Sequence, residues 1–234
     1  PSIAVLPFDN LSGDAQEDYF SDGMTEDLIT DLSKVSGLFV LARNTTFAYR
    51  EQPSDIRQVG RDLGVQYVVE GSVRRVGERV RINAQLIDAS TGGHIWADRY
   101  DRDMTDVLEL QDEVVQKIVA ELAVTLNPQE AERLAEAKQV DPEAYDLLLR
   151  GLEQFRRFSP DTNRAARTYF ERALELDPDF ARAEADLALT YAMDAEQLWT
   201  QEPHIASRKA RTHAERARDL DPKLAQVYFA FSLV

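Results

Sequence analysis

The sequence predicts a mixed α/β domain followed by an all-α helical repeat array, and three observations carry this prediction. Apolar runs alternate with segments of helical periodicity over residues 1–126. Within that part, residues 79–86 alternate polar and apolar side chains, which is typical of a half-buried strand. From residue 141 to residue 234 the periodicity is helical throughout. We therefore expect an α/β domain over 1–126, a linker helix over 127–140 and the repeat array over 141–234.

The α/β part is predicted to follow the order β-α-β-α-β-β-β-α. Ile3–Leu6 is an apolar run closed by Pro7, which suits a buried strand, and Leu38–Leu41 suits a second one. Gly77-Glu78 predicts a two-residue hairpin within the later strands. Apolar residues at helical spacing mark three helices, with members Met24, Leu28, Ile29 and Leu32; Ile56, Val59 and Leu63; and Val107, Leu110, Val114, Ile118 and Leu122. The expected mixed sheet has a parallel first pair and an antiparallel meander, with helices covering one face.

The helical part contains an internal repeat. Asn127-Pro128 predicts the start of the linker helix, because Asn caps helices and Pro suits their first turn. Ala173–Pro178 recurs as Ala217–Pro222, 44 residues later. Helix-pair repeats often have a period of about 34 residues, so the extra residues are expected in the turn around Gln197–His204. Another first helix starts near Val227, so we expect two repeats plus the start of a third, within a longer polypeptide in which more repeats follow.

Composition excludes several classes of function. Acidic residues outnumber basic ones 42 to 27, and the net charge of −15 argues against nucleic acid or an anionic membrane as the main partner. The chain has no Cys, which excludes thiol catalysis, disulfides and Cys-ligated zinc. Its apolar runs are far shorter than the ~20 residues that span a bilayer, so we expect no membrane span in this chain. The three histidines lack metal-ligand spacing, so we expect neither a metal nor a cofactor.

Small and aromatic residues recur at fixed positions in two successive helix pairs: Gly151, Ala166, Phe170, Ala173 and Pro178, then Ala183, Leu187, Ala188, Tyr191, Ala210, Ala217 and Pro222. These positions resemble the tetratricopeptide repeat, in which small residues let paired helices approach closely and Pro ends each pair. Ala214 departs from the pattern, because a large aromatic residue is usual there. The resemblance implies a groove for a protein or peptide partner, lined here by Arg182, Ala185, Leu189, Ala192 and Met193. The alternative is that these residues only pack the array.

Blocks in the first half carry a second resemblance: Pro1–Phe8, Asn10–Gly13, Tyr19–Gly23, Leu63–Arg74 and His94–Arg102. Together they are similar to the domain related to the N-terminal domain of TolB and to FlgO, which in bacteria often precedes tetratricopeptide repeats. This combination follows the catalytic domain of many class III adenylate/guanylate cyclases. The resemblance implies a non-catalytic sensor and protein-interaction module of a bacterial signalling protein, most similar to the cyclase-linked version and located in the cytoplasm.

Two other interpretations stay open. The module also occurs as the sensor half of winged-helix transcription regulators and of kinases. A cell-envelope assembly or scaffold protein is the other alternative, and it would be periplasmic if a signal or membrane helix preceded this segment. Neither a phosphate-binding Gly-rich loop nor a G-x-S-x-G motif occurs, so we expect the chain itself not to be an enzyme.

The carboxyl ends of the parallel strands predict a site for a small anionic or hydroxylated ligand. Ligands favour this edge in α/β units, because helix N-termini face it. The residues expected there follow the first strand, start the first helix or follow the second strand: Asp9, Asn10, Ser12, Gly23, Met24, Thr25, Arg43, Asn44 and Thr45. The alternative is that Asn10, Asn44 and Thr45 satisfy hydrogen bonds of loops and caps.

A second candidate surface is a basic stripe on the polar side of the alternating strands. It consists of Arg74, Arg79 and Arg81, together with Asn83 and Gln85. In an acidic chain such a stripe can bind an acidic surface of a partner protein. The alternative is a solvated sheet face whose arginines pair with nearby carboxylates.

Overall fold

The computed structural model describes residues 1–50, 55–135 and 140–233. The chain divides into two compact units, Pro1–Gln139 and Val140–Val234. The first unit contains a mixed sheet of six strands with helices, and the second unit is a helical array. The predicted fold class is therefore confirmed.

The strands of the first unit are β1 (Ser2–Val5), β2 (Asp9–Asn10), β3 (Phe39–Val40), β4 (Tyr67–Val76), β5 (Arg79–Asp88) and β6 (Gly93–Asp103). They lie in the order β3-β1-β4-β5-β6, and the short β2 also pairs with β4. β1 is parallel to both β3 and β4, whereas β4, β5 and β6 form an antiparallel meander. Gly77 has a φ of 59° in the turn between β4 and β5. The predicted parallel pair, meander and hairpin are thus present.

The first unit also contains α1 (Asp18–Ser33), α2 (Arg43–Thr46), α3 (Ile56–Leu63), α4 (Val107–Glu121) and α5 (Pro128–Ala135). α5 begins where the sequence predicts. Asn127 Oδ1 accepts a hydrogen bond from Glu130 N at 3.0 Å, and Asn127 N donates to Glu130 Oε2 at 2.9 Å. Glu130 Oε1 also accepts from Ser36 N at 2.8 Å, which ties this helix to the end of α1.

The two faces of the sheet differ in what covers them. We call them the Trp96 face, which carries Arg75 and Arg102, and the Asn83 face, which carries Ala4. On the Trp96 face, Arg75 Nη1 donates to the hydroxyl of Tyr19 in α1, 3.1 Å away. Arg102 on the same face reaches α4, where its Nη2 lies 3.1 Å from a carboxylate oxygen of Glu113. α1 and α4 therefore pack on the Trp96 face.

Among the residues that the structure describes, α3 covers part of the Asn83 face, together with Leu41 and Tyr49. Val59 of α3 packs with Ala4 of β1 and Val68 of β4. Helices therefore pack on both faces of the sheet, and the expectation that they cover one face is wrong. The chain moves in one direction along the sheet from β1 to β3 and in the other direction from β3 to β4. Because both crossovers between parallel strands favour the right-handed form, their helices lie on opposite faces.

The second unit contains α6 (Pro142–Arg156), α7 (Pro160–Leu176), α8 (Ala181–Glu196), α9 (Pro203–Leu220) and α10 (Ala225–Ser232). α6 packs against α7, α8 packs against α7 and α9, and α10 packs against α8 and α9. Gly151 permits the close approach of the first pair, since a Cβ there would lie 2.3 Å from the Phe170 ring. Residues 197–202 join α8 to α9, so a six-residue connection lies within the segment where the extra residues were expected.

Candidate functional site

A cleft of about 1140 Å³ lies over the uncovered part of the Asn83 face. Side chains of β4, β5 and β6 form its floor, and the chain around β2 forms one wall. Tyr49, Arg50 and Ile56 line another part of it. The cleft is open because α3 packs only near Ala4 and Val68, leaving the ends of three strands exposed above the polar side of the sheet.

Four half-buried polar side chains form the floor of the cleft. Glu70 lies directly opposite Gln85 in the strand register, and Ser72 lies opposite Asn83. Gln85 Nε2 donates to Glu70 Oε1, and Asn83 Nδ2 donates to Ser72 Oγ at 2.9 Å. Each side chain keeps at least one donor or acceptor position for a further hydrogen bond. The floor is therefore a fixed row of amide, hydroxyl and carboxylate groups that can bind a polar molecule.

The loop that forms one wall is held by its own polar side chains. Asn10 Nδ2 donates to Asp14 O at 2.8 Å and to Asp18 Oδ1 at 2.7 Å. Asn10 Oδ1 accepts from Ser12 N at 2.9 Å. Ser12 Oγ in turn accepts from Arg75 N at 2.9 Å. These contacts fit the alternative interpretation, in which Asn10 and Ser12 satisfy hydrogen bonds of the loop.

The start of the first helix lies elsewhere than expected. A short 3₁₀ turn capped by Asp14 leads directly into α1, which begins at Asp18. Gly23, Met24 and Thr25 are consequently inside the helix and buried. Thr25 Oγ1 accepts from Phe8 N at 3.0 Å and donates to Ser21 O at 2.8 Å. The prediction that Gly23, Met24 and Thr25 form a helix N-terminus facing a ligand is therefore wrong.

Arg43, Asn44 and Thr45 lie in α2, outside the residues that line the cleft. Arg43 Nε lies 3.0 Å from Glu26 Oε2, and the Arg43 guanidinium stacks 3.6 Å from the centroid of the Phe47 ring. Asn44 and Thr45 are exposed. The Arg43 side chain thus connects α2 to α1.

Of the nine predicted ligand-site residues, the structure brings Asp9 and Asn10 to the cleft. The prediction missed Glu70 and Ser72, which supply half of the floor. A signal for them exists in the sequence. The two-residue turn at Gly77-Glu78 fixes the register of β4 against β5, and that register places the alternate polar positions of β4 opposite Asn83 and Gln85.

The predicted basic stripe lies on the Asn83 face, with Asn83 and Gln85 in the cleft and its arginines outside it. Arg74 lies directly opposite Arg81. Arg81 Nε lies 2.7 Å from Asp101 Oδ1, and this hydrogen bond holds the pKa of Asp101 below its usual value. Arg79 lies 3.4 Å from an oxygen of Asp103. Two of the three arginines are thus paired with carboxylates, as the alternative interpretation requires.

The predicted groove of the helical array does not exist at Ala185 and Leu189. Ala185 packs with Ala217 and Val227, and Leu189 packs with Ala214 and Ala230. The reason is that α10 packs against α8 and covers the side that was expected to be open. The remaining predicted residues are buried, or half-buried beside Asp186: Ala192, Met193 and Arg182.

The described residues contain neither a cluster of metal ligands nor a membrane-spanning helix. Across residues 1–50, 55–135 and 140–233, no group of three or more His, Asp or Glu side chains is arranged to hold a metal ion. In the same part of the chain, no helix combines the length and the apolar character needed to cross a bilayer.

Comparison with known families assigns the first half of the chain. Residues 1–117 match the model of the family described as HilA/YgeH-like transcriptional regulator, second domain. The chain belongs to this family. The HilA/YgeH-like domain contains all six strands and the whole cleft. The family description mentions neither FlgO nor tetratricopeptide repeats, so those finer resemblances stay predictions.

A curated relative connects the chain to a cyclase. A protein of Rhizobium meliloti (strain 1021) named "Putative adenylate cyclase 3" is 55% identical over 199 residues. The match covers 85% of this chain and 34% of that protein. The chain therefore spans about a third of the length of the curated relative that it matches.

Solved structures give weaker likenesses. Lipoprotein GNA1162 from Neisseria meningitidis is 21% identical with a TM-score of 0.39, covering 54% of this chain and 99% of its own. TolB from Acinetobacter baumannii is 18% identical with a TM-score of 0.40, covering 54% of this chain and 29% of its own. At TM-scores of this size, the likenesses establish neither a shared fold nor a shared function.

Proposed function

We propose that this chain is a non-catalytic regulatory part of a larger bacterial signalling protein whose output domain is a class III adenylate/guanylate cyclase. The observation that carries the proposal is the 55% identity to the Rhizobium meliloti protein named as an adenylate cyclase, of which the chain spans only 34%. A cyclase meets its nucleoside triphosphate in the cytoplasm, so we place the chain there.

The cleft of the HilA/YgeH-like domain is the proposed sensor site. Its floor offers amide, hydroxyl and carboxylate groups, which suit a ligand that carries several hydroxyl groups. Asp9, Asp18 and Glu70 line the cleft, and its two arginines, Arg50 and Arg99, are paired with Asp22 and Asp101. A small anion is therefore disfavoured relative to a neutral hydroxylated molecule. Binding there would regulate the output domain only if the ligand favours one of two states of the whole protein.

The helical array is the proposed interaction part. Its successive helix pairs and the close approach at Gly151 support its assignment to the tetratricopeptide type. Since Ala185 and Leu189 are buried, a protein or peptide partner would bind to another surface of the array than the one first predicted.

The deciding experiment compares the full-length protein with a form that lacks residues 1–234 of this chain, by measuring cyclic AMP formed from ATP. We expect deletion to change the rate or its response to cell extract, and we expect the isolated chain to form no cyclic AMP. A cleft variant, Asn83→Leu, should reproduce part of the change. The exposed Arg164→Asp in the second unit is its matched control.

Sequencing the DNA that flanks the segment encoding this chain is the first test of the proposal, because it identifies the attached output domain. An in-frame catalytic domain upstream of Pro1 supports the proposal, whereas any other output domain contradicts it. Cyclic AMP formation by the isolated chain would contradict the non-catalytic role.

The family match favours one second candidate, the sensor half of a transcription regulator. Residues 1–117 belong to a family described by such regulators, and the net charge of −15 means that DNA contacts would come from another domain. An upstream DNA-binding domain, together with promoter binding by the full-length protein, would favour this candidate over the cyclase.

A further inference from the structure

β6 is the last strand of the sheet, and one of its long sides is open. β5 pairs with its inner side, and no backbone hydrogen bond joins its outer side to another described residue. Backbone groups are instead held by side chains of β6 itself. Arg99 N donates to Asp98 Oδ1 at 2.8 Å, and Asp101 O accepts from Arg102 Nη1 at 3.2 Å. An eleven-residue strand with an open side can pair with a strand of another chain.

The charges of β6 are complementary to themselves. The sequence Asp98-Arg99-Tyr100-Asp101-Arg102 reverses sign about Tyr100. If a second copy of β6 lies antiparallel about this residue, Arg99 faces Asp101 and Asp98 faces Arg102. Two-fold symmetry makes each of these pairs occur twice. Charged residues usually protect a strand edge against pairing, but these charges attract a second copy of the same edge.

This register avoids the like charges that the two adjacent registers would place opposite each other. If the two sheets join into one continuous sheet, the Trp96 faces of both copies lie on the same side. Each residue of β6 then lies opposite a residue that points to the same face. The two-fold axis therefore passes between one residue and the same residue of the second copy. A pairing centred on Arg99 places two guanidinium groups opposite each other, and one centred on Asp101 does the same with two carboxylates. Like charges directly opposite destabilise a strand pair. The pairing centred on Tyr100 is therefore favoured over its neighbours.

We propose that two copies of this chain associate through β6, antiparallel and two-fold about Tyr100, so that their sheets join into one. Tyr100 lies on the Trp96 face, and in the dimer the two Tyr100 side chains lie next to each other beside α4. The net charge of −15 on each chain opposes association in general. Specific pairing therefore depends on the local charge pattern of the edge.

Charge exchange tests the pairing. Sedimentation velocity of the whole chain over a concentration series should show a monomer–dimer equilibrium. Arg99→Asp and Asp101→Arg should each weaken the dimer by at least about tenfold, because each turns two attractive pairs into repulsive ones. The double variant Arg99→Asp/Asp101→Arg should restore the dimer, since opposite charges then face each other again.

Arg164→Asp in the second unit changes the net charge by the same amount as Arg99→Asp and should leave the dimer intact. Circular dichroism checks that each variant is folded. A wild-type chain that stays monomeric, or a dimer that both single variants leave unchanged, would overturn the proposal. A dimer that both single variants leave unchanged would point to an interface at the exposed Tyr228 and Phe229 of α10 instead.

Cross-linking tests the register and does not depend on the charge variants. The chain has no Cys, so every disulfide that forms must involve an introduced thiol. In the Tyr100-centred pairing, Ala97 of one copy lies opposite Asp103 of the other, within the Cα separation that a disulfide spans. A mixture of Ala97→Cys and Asp103→Cys chains should oxidise to the mixed dimer. If the chains are mixed in equal amounts, a mixed dimer no more than about twice as abundant as each like dimer would be the statistical result and would show that this register is absent.

Discussion

Tyr100 shows at the scale of one residue how burial changes an ionisable group. Its side chain lies on the Trp96 face and is 7% exposed. Burial raises the pKa of Tyr100 to about 12, and the negative charges of Asp98 and Glu113 add to the effect. An unfolded tyrosine has a pKa near 10, so the folded state disfavours the phenolate.

We expect Tyr100→Phe to flatten the alkaline loss of stability. Because the folded pKa is raised, the contribution of Tyr100 is fully present below about pH 10 and is lost as the pH rises towards 12. The loss should be on the order of 2 kcal/mol in the wild type and absent in the variant. Urea unfolding at several alkaline pH values, at low protein concentration, measures it. Tyr228→Phe, at a 56% exposed position, is the control, and an equal alkaline slope in the wild type and Tyr100→Phe would contradict the prediction.

The residues of the candidate site were only partly predictable from the sequence. Asp9 and Asn10 reach the cleft because they follow β1 directly, as the sequence indicates. Thr25 does not, because its hydroxyl binds the backbone of Phe8 and Ser21 inside the core. Such a contact depends on which residues meet in three dimensions, and helical periodicity carries no information about it.

At the scale of the elements, the ends of two helices in the array are unusual. Phe158 follows α6 with a φ of 48°, and Leu198 follows α8 with a φ of 56°. Glycine is favoured at this left-handed position, because other residues strain their Cβ against the backbone. The array thus accepts two strained helix ends where its helix pairs turn.

Leu198→Gly is expected to stabilise the chain by about 1 kcal/mol, because it relieves the strain. The Leu198 side chain is 74% exposed, so little packing is lost. Urea denaturation gives the difference in the free energy of unfolding. Leu176→Gly, at the last residue of α7, should instead destabilise by about 1 kcal/mol, because glycine disfavours helical conformation. A loss of stability in Leu198→Gly would show that this side chain makes a contact worth more than the strain.

Most elements could be predicted because their patterns are local. Alternation and the Gly77-Glu78 turn define the meander, and apolar spacing defines α4. The start of α1 could not be predicted, because Glu17 before it makes no side-chain cap and the capping residue Asp14 belongs to the preceding 3₁₀ turn. β2 is two residues long, and it forms only because β4 extends beyond β1. The position of α3 follows from strand order, which the sequence does not show.

The whole molecule consists of two compact units, each with its own packed helices or strands. We expect calorimetry to show two unfolding transitions, because units with separate cores can unfold independently. Gly151→Ala should lower the free energy of unfolding of the second unit by about 1–3 kcal/mol, since the new Cβ would meet the Phe170 ring. The transition of the first unit should stay unchanged.

Adding Phe170→Leu to Gly151→Ala should recover part of that loss, because the smaller side chain leaves room for the new methyl group. A single transition that shifts as a whole in Gly151→Ala would show that the two units unfold together.

Arg99 belongs to two surfaces at once, since it lines the cleft and also lies on the open side of β6. A guanidinium group that turns towards the carboxylate of a second copy is withdrawn from a molecule in the cleft. Ligand and second copy would then compete, and linkage requires each to weaken the other by the same factor. The affinity measured for any cleft ligand should therefore fall as the protein concentration rises, and the chain would sense its own abundance together with its ligand.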